Sequence, residues 1–217
     1  MLVVKVGGAV AATAACHVSD LARRHDVVVV HGAGPQITEE MERRGLSVEF
    51  VAGRRVTSAA ALEVVRASLT AVNGSLCAAI GPRALPLPGG VLEAVRIPEL
   101  GLVGDPVPSA PSAVLDALGS GRIPVVAPLA QGPLNVNGDE AAAALAVGLG
   151  AERLVFLTDV PGVLVRGEVA QAIAADEAER LVGSGALGGG IVPKLLAAAR
   201  AARLGVDAAI GETAVTA

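Results

Sequence analysis

Of the seventeen basic residues in this 217-residue chain only two, Lys5 and Lys194, are lysines, and each stands beside a glycine turn. A lysine presents a compact ammonium on a flexible stem, which a planar guanidinium replaces poorly. Lys5 lies on an otherwise apolar run, residues 2–6, two positions before Gly7-Gly8. Burial there is costly unless the ammonium faces a cleft that holds negative charge. Lys194 follows Gly188-Gly189-Gly190 near a helix start, where the backbone dipole prefers an anion, so an ordinary solvated lysine is disfavoured. Two ammonium groups beside glycine turns suit phosphate oxygens, which backbone N–H groups at such turns also bind.

Further candidates cluster in four segments. A second glycine turn, Gly32-Ala33-Gly34, follows a valine run and His31. Neither glycine turn is diagnostic alone, because neither opens a GxGxxG and the chain holds no GxxxxGK[ST]. Asn135, Asn137 and Asp139 alternate before an alanine-rich stretch. If that segment is extended they point to one side and present two amides and a carboxylate to a cleft; the commoner role for such an Asp is to cap the helix. Asp159, in Thr158-Asp159-Val160-Pro161-Gly162, could equally be a turn residue. For Arg54-Arg55, at a strand end, a solvated pair is the default reading.

The elements that must position these residues are legible from the apolar pattern. Short apolar runs at residues 2–6, 27–30, 123–127 and 154–158 alternate with helical periodicity, which implies a mainly parallel sheet covered on both faces. Both glycine turns then lie at the carboxyl edge of that sheet, where ligands of such folds bind. A helix is expected from Pro35, and another from Ser58 with Asn73-Gly74 as its stop. Residues 85–87 and 91–95 read as a small surface hairpin. Helices are also expected over residues 111–118, 138–149, 176–182 and 191–204, with no internal repeat and no linker.

Composition removes several function classes. The net charge is −4 and the aromatics are Phe50 and Phe156 alone, which leaves neither a basic field nor a stacking platform for nucleic acid. Apolar stretches are too short to span a bilayer. The opening residues lack the order of a signal peptide, so an unprocessed cytoplasmic chain is expected. Cys16 and Cys77 read as small buried hydrophobes in a reducing compartment. Three His, two Cys and no CxxC do not make a zinc site.

As a set, KVGG, HGAG, GRRVT, LGLVGD, LNVNGDEAAAALA, LTDVPGVL and GGGIVPK stand in the order and spacing of the amino-acid kinase superfamily. Within it the chain resembles the N-acetylglutamate kinases, over nearly its whole length. The resemblance implies an α/β fold, a three-layer αβα sandwich with a central, mainly parallel sheet. It implies a single domain over residues 1–217, with an acceptor and dimer lobe to about residue 150 and an ATP lobe over residues 151–217. The activity implied is ATP-dependent phosphorylation of the side-chain carboxylate of N-acetyl-L-glutamate to an acyl phosphate, in arginine biosynthesis.

On this resemblance Lys5 and Lys194 stabilise the transferring phosphoryl group and Asp139 organises them. Gly8, Ala33, Gly34, Arg55, Asn135 and Asn137 are matched to the acceptor. Gly7, Thr158, Asp159, Gly162, Leu164, Ala186, Leu187 and Gly188, with the two lysines, are matched to ATP. Mg2+ is expected to arrive on the phosphates, with no protein ligand of its own. The chain opens on its first strand, without the leading helix of arginine-inhibited hexameric relatives, so a homodimer through the helix at residues 58–73 is expected. Alternatives are a carrier-protein-linked aminoadipate or glutamate kinase of lysine biosynthesis, a carbamate kinase, which shares HGxGPQ, and a silent ligand-binding relative.

Overall fold

The computed structural model describes residues 1–7 and 11–217. From the amino end the chain forms β1 (Leu2–Val6), α1 (Ala11–Leu21), β2 (Val27–His31), α2 (Gly34–Arg43), a short pair β3 (Phe50–Val51) and β4 (Arg54–Arg55), and the long helix α3 (Ala59–Ile80). Then come β5 (Ala84–Leu87), β6 (Ala94–Arg96), β7 (Val103–Pro106), α4 (Ser112–Gly119), β8 (Ile123–Val126), β9 (Leu129–Ala130), β10 (Leu134–Val136) and α5 (Gly138–Gly148). The last third adds β11 (Arg153–Leu157), β12 (Leu164–Val165), β13 (Glu168–Val169), β14 (Ala172–Ala174), α6 (Ala175–Gly183), α7 (Ile191–Arg203), β15 (Asp207–Ile210) and β16 (Thr213–Thr216).

Eight strands make one sheet in the order β14-β16-β15-β11-β1-β2-β8-β5. All neighbours in it are parallel except β15 and β16. The centre is built from β1 and β2, whose residues are buried throughout, as expected of strands covered on both faces. Because side chains alternate across a strand, each sends its residues to two cores. Val3, Val28 and Val30 pack with α4, α5, α6 and α7 on one face. Val4, Val6, Val27 and Val29 pack with α1 and α3 on the other. This is the expected three-layer α/β/α sandwich. A second sheet, β6-β7-β10-β9, stands beside it.

Three local expectations are corrected. Asn73-Gly74 does not stop α3, which continues to Ile80, because the Asn73 side chain is turned inward and satisfied there. The surface hairpin over residues 85–95 does not form. Instead β5 is the edge of the main sheet, paired only with β8, an edge position where Pro86 is tolerated, and β6 joins the second sheet against β7. Cys16 is exposed and Cys77 only partly buried, so neither is the core hydrophobe expected. Among the described residues no helix is long and apolar enough to cross a membrane.

The tightest approach of a loop to a helix tests the packing. A Cβ built on Gly148, at the end of α5, runs into the backbone of Ser109. The Gly148→Ala variant is therefore expected to lose about 1–3 kcal/mol of stability, read as a lower urea midpoint with an unchanged slope.

Candidate active site

Strand alternation decides where Lys5 points. It shares parity with Val3, so it faces the helices that begin at Gly138 and Ile191. Its Nζ lies 2.6 Å from Oδ1 of Asp139, with both side chains only 7 % exposed. Asp139 sits in the first turn of α5, where the helix dipole favours an anion. Its other oxygen, Oδ2, is 3.7 Å from Nζ of Lys194, which stands in the first turn of α7 and also donates to the Gly190 carbonyl at 3.1 Å. One carboxylate therefore holds the only two lysines, from residues 5 and 194.

Asp139 is free to do so because Asn137 caps the helix in its place. The Asn137 Oδ1 accepts from the N–H groups of Asp139 and Glu140, so the capping role available to Asp139 in the sequence belongs to its neighbour. The segment is not extended throughout either. Asn135 lies on β10 and Asp139 on α5, and all three polar residues nevertheless reach one cavity.

That cavity, of about 420 Å³, lies at the carboxyl edge of the sheet. Its walls include Lys5, Gly7, the Gly32-Ala33-Gly34 turn, Arg55, Asn135, Asn137, Asp139, Thr158, Asp159 and Lys194. Gly7 follows β1 and Gly32 follows β2, two adjacent parallel strands, so these two glycines stand side by side. Gly162, Leu164, Ala186, Leu187 and Gly188 are not among its walls. Gly162 is packed under Thr213 and Val169, Leu164 is exposed on β12, and residues 186–188 lie between α6 and α7. Gly8 lies outside the described residues.

Arg54 and Arg55 are not a solvated pair. Arg55 is buried, and its guanidinium donates to Thr38 Oγ1 at 2.8 Å and to the Gly34 carbonyl at 3.2 Å. It also lies 4.5 Å over the Phe50 ring. No carboxylate pairs with it among the described residues, and burial pulls its pKa down. A buried cation without an anion is costly, so it marks a place for one. Arg54 lines the cavity too, but its charge is taken up by Glu140 at 2.9 Å and Asp105 at 2.9 Å. The turn between β3 and β4 uses Ala52 at φ 49° and Gly53 at φ 77°, the two left-handed positions of a tight hairpin. Asn137 Nδ2 donates to the Gly53 carbonyl at 2.9 Å and so pins that hairpin.

Sequence reasoning left out three residues that shape the cavity. Thr38 carries Arg55. Thr57, fully buried, donates to the Arg55 carbonyl at 2.7 Å and accepts from Asn135 Nδ2 at 3.0 Å. Asn73, a helix stop by local rules, is a buried hydrogen-bonding group. The helical spacing that puts Thr38 one turn after Gly34 could have found the first, and Thr57 closes the GRRVT segment; no sequence signal pointed to Asn73 as a buried partner.

The charge on Lys5 is finely placed. Burial lowers its pKa below the usual lysine range, Lys194 adds to the fall and Asp139 opposes it.

Comparison with known proteins follows this geometry. The family model for the amino acid kinase family matches residues 1–211. An acetylglutamate kinase of Rubrobacter xylanophilus is 45 % identical over 96 % of this chain and 87 % of its own length. That of Roseiflexus sp. is 41 % identical with the same coverage. Among solved structures, smu.665 from Streptococcus mutans UA159 superposes with a TM-score of 0.87 at 26 % identity, over 99 % of this chain and 98 % of its own.

Removing the anion tests the lysine arrangement. In Asp139→Asn the influence that raises the Lys5 pKa is gone while burial and Lys194 remain, so Lys5 is expected to lose its proton at lower pH than in the parent. Reductive methylation with 13C reads this directly, since the chain has only two lysines; an upward move of the Lys5 titration contradicts it.

Proposed function

The chain belongs to the amino acid kinase family, and from that premise we propose that it transfers a phosphoryl group from ATP to the side-chain carboxylate of N-acetyl-L-glutamate, giving the acyl phosphate used in arginine biosynthesis. The observation that carries this reading is the pair of lysines held on the two oxygens of Asp139 at the mouth of the glycine turns. An acceptor carboxylate with a pKa of about 4.3 is already ionised at neutral pH, so the reaction needs no general base. The obstacle is the approach of one anion to another, and fixed positive charge with in-line positioning removes it.

In this mechanism Lys5 draws charge from the transferring group on one side and Lys194 from the nucleotide side. Asp139 keeps both ammoniums pointed inward. The N–H groups of the Gly7-Gly8 and Gly32-Ala33-Gly34 turns cradle phosphate and acceptor. Arg55 takes the acceptor's α-carboxylate through two parallel hydrogen bonds, with Asn135 and Asn137 beside it. Thr158 and Asp159 meet the nucleotide at the cavity wall, and Gly162, Leu164, Ala186, Leu187 and Gly188, outside that wall, are assigned to the part of ATP that extends beyond it. Mg2+ enters as part of the substrate, on the phosphates of ATP. The acceptor lobe then ends near residue 150 and the ATP lobe follows, although β1 and β11 join them in one sheet. The enzyme works in the cytoplasm.

Turnover tests the reading. With ATP and hydroxylamine, N-acetylglutamate should yield hydroxamate, and aminoadipate, its carrier-linked form and carbamate should yield little. Product from another acceptor reassigns the substrate, and none from any acceptor makes the chain a silent ligand-binding relative. In Arg55→Ala the KM for N-acetylglutamate should rise by about tenfold or more while that for ATP changes little.

The proposed assembly is a homodimer through α3. Leu62, Val65 and Leu69 of that helix are buried within the protomer, so they are not the contact. Its exposed side carries Ala67, Ala71, Gly74 and Ala78, small residues that let a two-fold copy approach closely. Sedimentation should give about twice the 21.4 kDa chain mass. An Ala71→Arg variant should then sediment as a folded monomer, and a parent chain that is itself monomeric removes the dimer.

A further inference from the structure

We propose that Asn73 is a positioning residue of the transfer reaction, which acts through His31 to fix the end of β2 and hence the Gly32-Ala33-Gly34 turn. The inference rests on the kinase reading of the cavity and goes beyond it to a residue 42 positions from that turn's first neighbour, His31.

An asparagine in a helix interior costs helix propensity, and in the middle of a 22-residue helix something must offset it. Its Nδ2 stands 3.0 Å from His31 Nε2 and donates to the Val125 carbonyl at 2.8 Å. A carbonyl only accepts, so the Val125 contact sets which way the amide faces. With the amide so fixed, its second N–H is aimed at Nε2, which must offer its lone pair. The ring proton is therefore on Nδ1 and the ring is neutral.

His31 shares parity with Val27 and Val29, so it faces α3 while Lys5, on the adjacent strand, faces α5. Among the described residues the Lys5 charge, from β1 and across the sheet, acts on the ring and is itself paired with Asp139 of α5; the ring's contact is Asn73 of α3, whose Oδ1 is approached by Cys77 Sγ at 3.8 Å and whose Nδ2 also donates to the Val125 carbonyl of β8. Burial and the Lys5 charge push its pKa down to about 4, against the Gly32 backbone, which favours the proton. A protonated ring would add a further cation beside Lys5, Lys194 and Arg55.

The position of His31 matters twice. Its side chain ends β2 one residue before the acceptor-side turn. Its carbonyl abuts the start of α5, where a Cβ on Gly138 would meet it at 3.4 Å and Lys5 Cε at 3.5 Å. A shift of His31 therefore moves the turn and the seat of Asp139 together.

The test has one readout that needs no turnover. In 15N-histidine spectra of the parent, His31 should show the neutral Nδ1–H form from pH 5.5 to 9, an interval that lies above its pKa of about 4; a titration inside it, or the proton on Nε2, overturns the proposal. In kinetics, His31→Gln keeps an acceptor for the Asn73 amide, whereas His31→Leu does not. His31→Leu and Asn73→Leu should each lower kcat by about tenfold with the KM for ATP unchanged, while His31→Gln stays within about threefold. Asn73→Asp, which is nearly isosteric, should draw a proton onto the ring and give kcat a pH dependence near neutrality that the parent lacks. Equal kcat in the Gln and Leu variants, or an unchanged pH profile in Asn73→Asp, reduces Asn73 to a stability role and sinks the inference. If the parent makes no hydroxamate, the kinase reading fails on that assay alone, and with it the role in transfer.

Discussion

An ammonium on a fully buried strand is the constraint around which this molecule is arranged. Every residue of β1 is buried, Lys5 included, and an unpaired charge there would cost several kcal/mol. Asp139 supplies the counter-charge at 2.6 Å. That in turn requires α5 to start at this spot, and Asn137 to satisfy the helix end so that Asp139 need not. Lys194 then approaches the second carboxylate oxygen. Lys5, Lys194 and Arg55, which has no carboxylate partner among the described residues, stand against Asp139 and Asp159 in the cavity walls, so positive charge is left over. A cavity so charged is completed by anions. In that sense the ligand is the missing half of an electrostatic arrangement the fold has already assembled.

The sheet distributes these duties by parity. Lys5 looks toward the layer that supplies its partners, and His31 looks toward the layer that holds it neutral. Neighbouring strands thus place a charged group and an uncharged ring at the same sheet edge without letting one titrate the other freely. The β3–β4 hairpin adds a third direction. Arg55 and Arg54 both line the cavity, but Arg54 binds Glu140, the residue after Asp139, and Asp105, which also accepts from Arg200 of α7 at 3.4 Å. Ion pairs at or near the surface contribute little to stability, but these run alongside the Lys5–Asp139–Lys194 cluster and, like it, link α5 to α7.

Much of the site was legible because its residues were anomalous where they stood. A lysine in a valine run, a lysine at a helix start and an aspartate behind alternating asparagines each break a local preference, and such breaks mark function. The central strands were legible because burial on both faces leaves a continuous apolar signal. What failed to show had its cause far along the chain. Asn73-Gly74 is a stop signal by local rules, and only the Val125 carbonyl and the His31 ring, over forty positions away on either side, turn it inward. Which of Arg54 and Arg55 is left without a carboxylate depends on a two-residue turn with both φ values positive, one of them at an alanine that no turn rule selects. The strand at Pro86 was hidden because a proline argues against a central strand and says nothing of an edge.

The place of β1 in the sheet sets an order on the chain's synthesis. Its partners are β2, complete by residue 31, and β11, which ends at residue 157. Until the latter emerges from the ribosome, the growing sheet β1-β2-β8-β5 has β1 as an open edge of valines and leucine, the kind of surface that pairs with other nascent chains. An inward-pointing charge on an edge strand is a recognised defence against such pairing, and Lys5 provides it. Its counter-ion at residue 139 is translated shortly before β11, so the charge that guards the edge is neutralised just as the strand that closes it arrives.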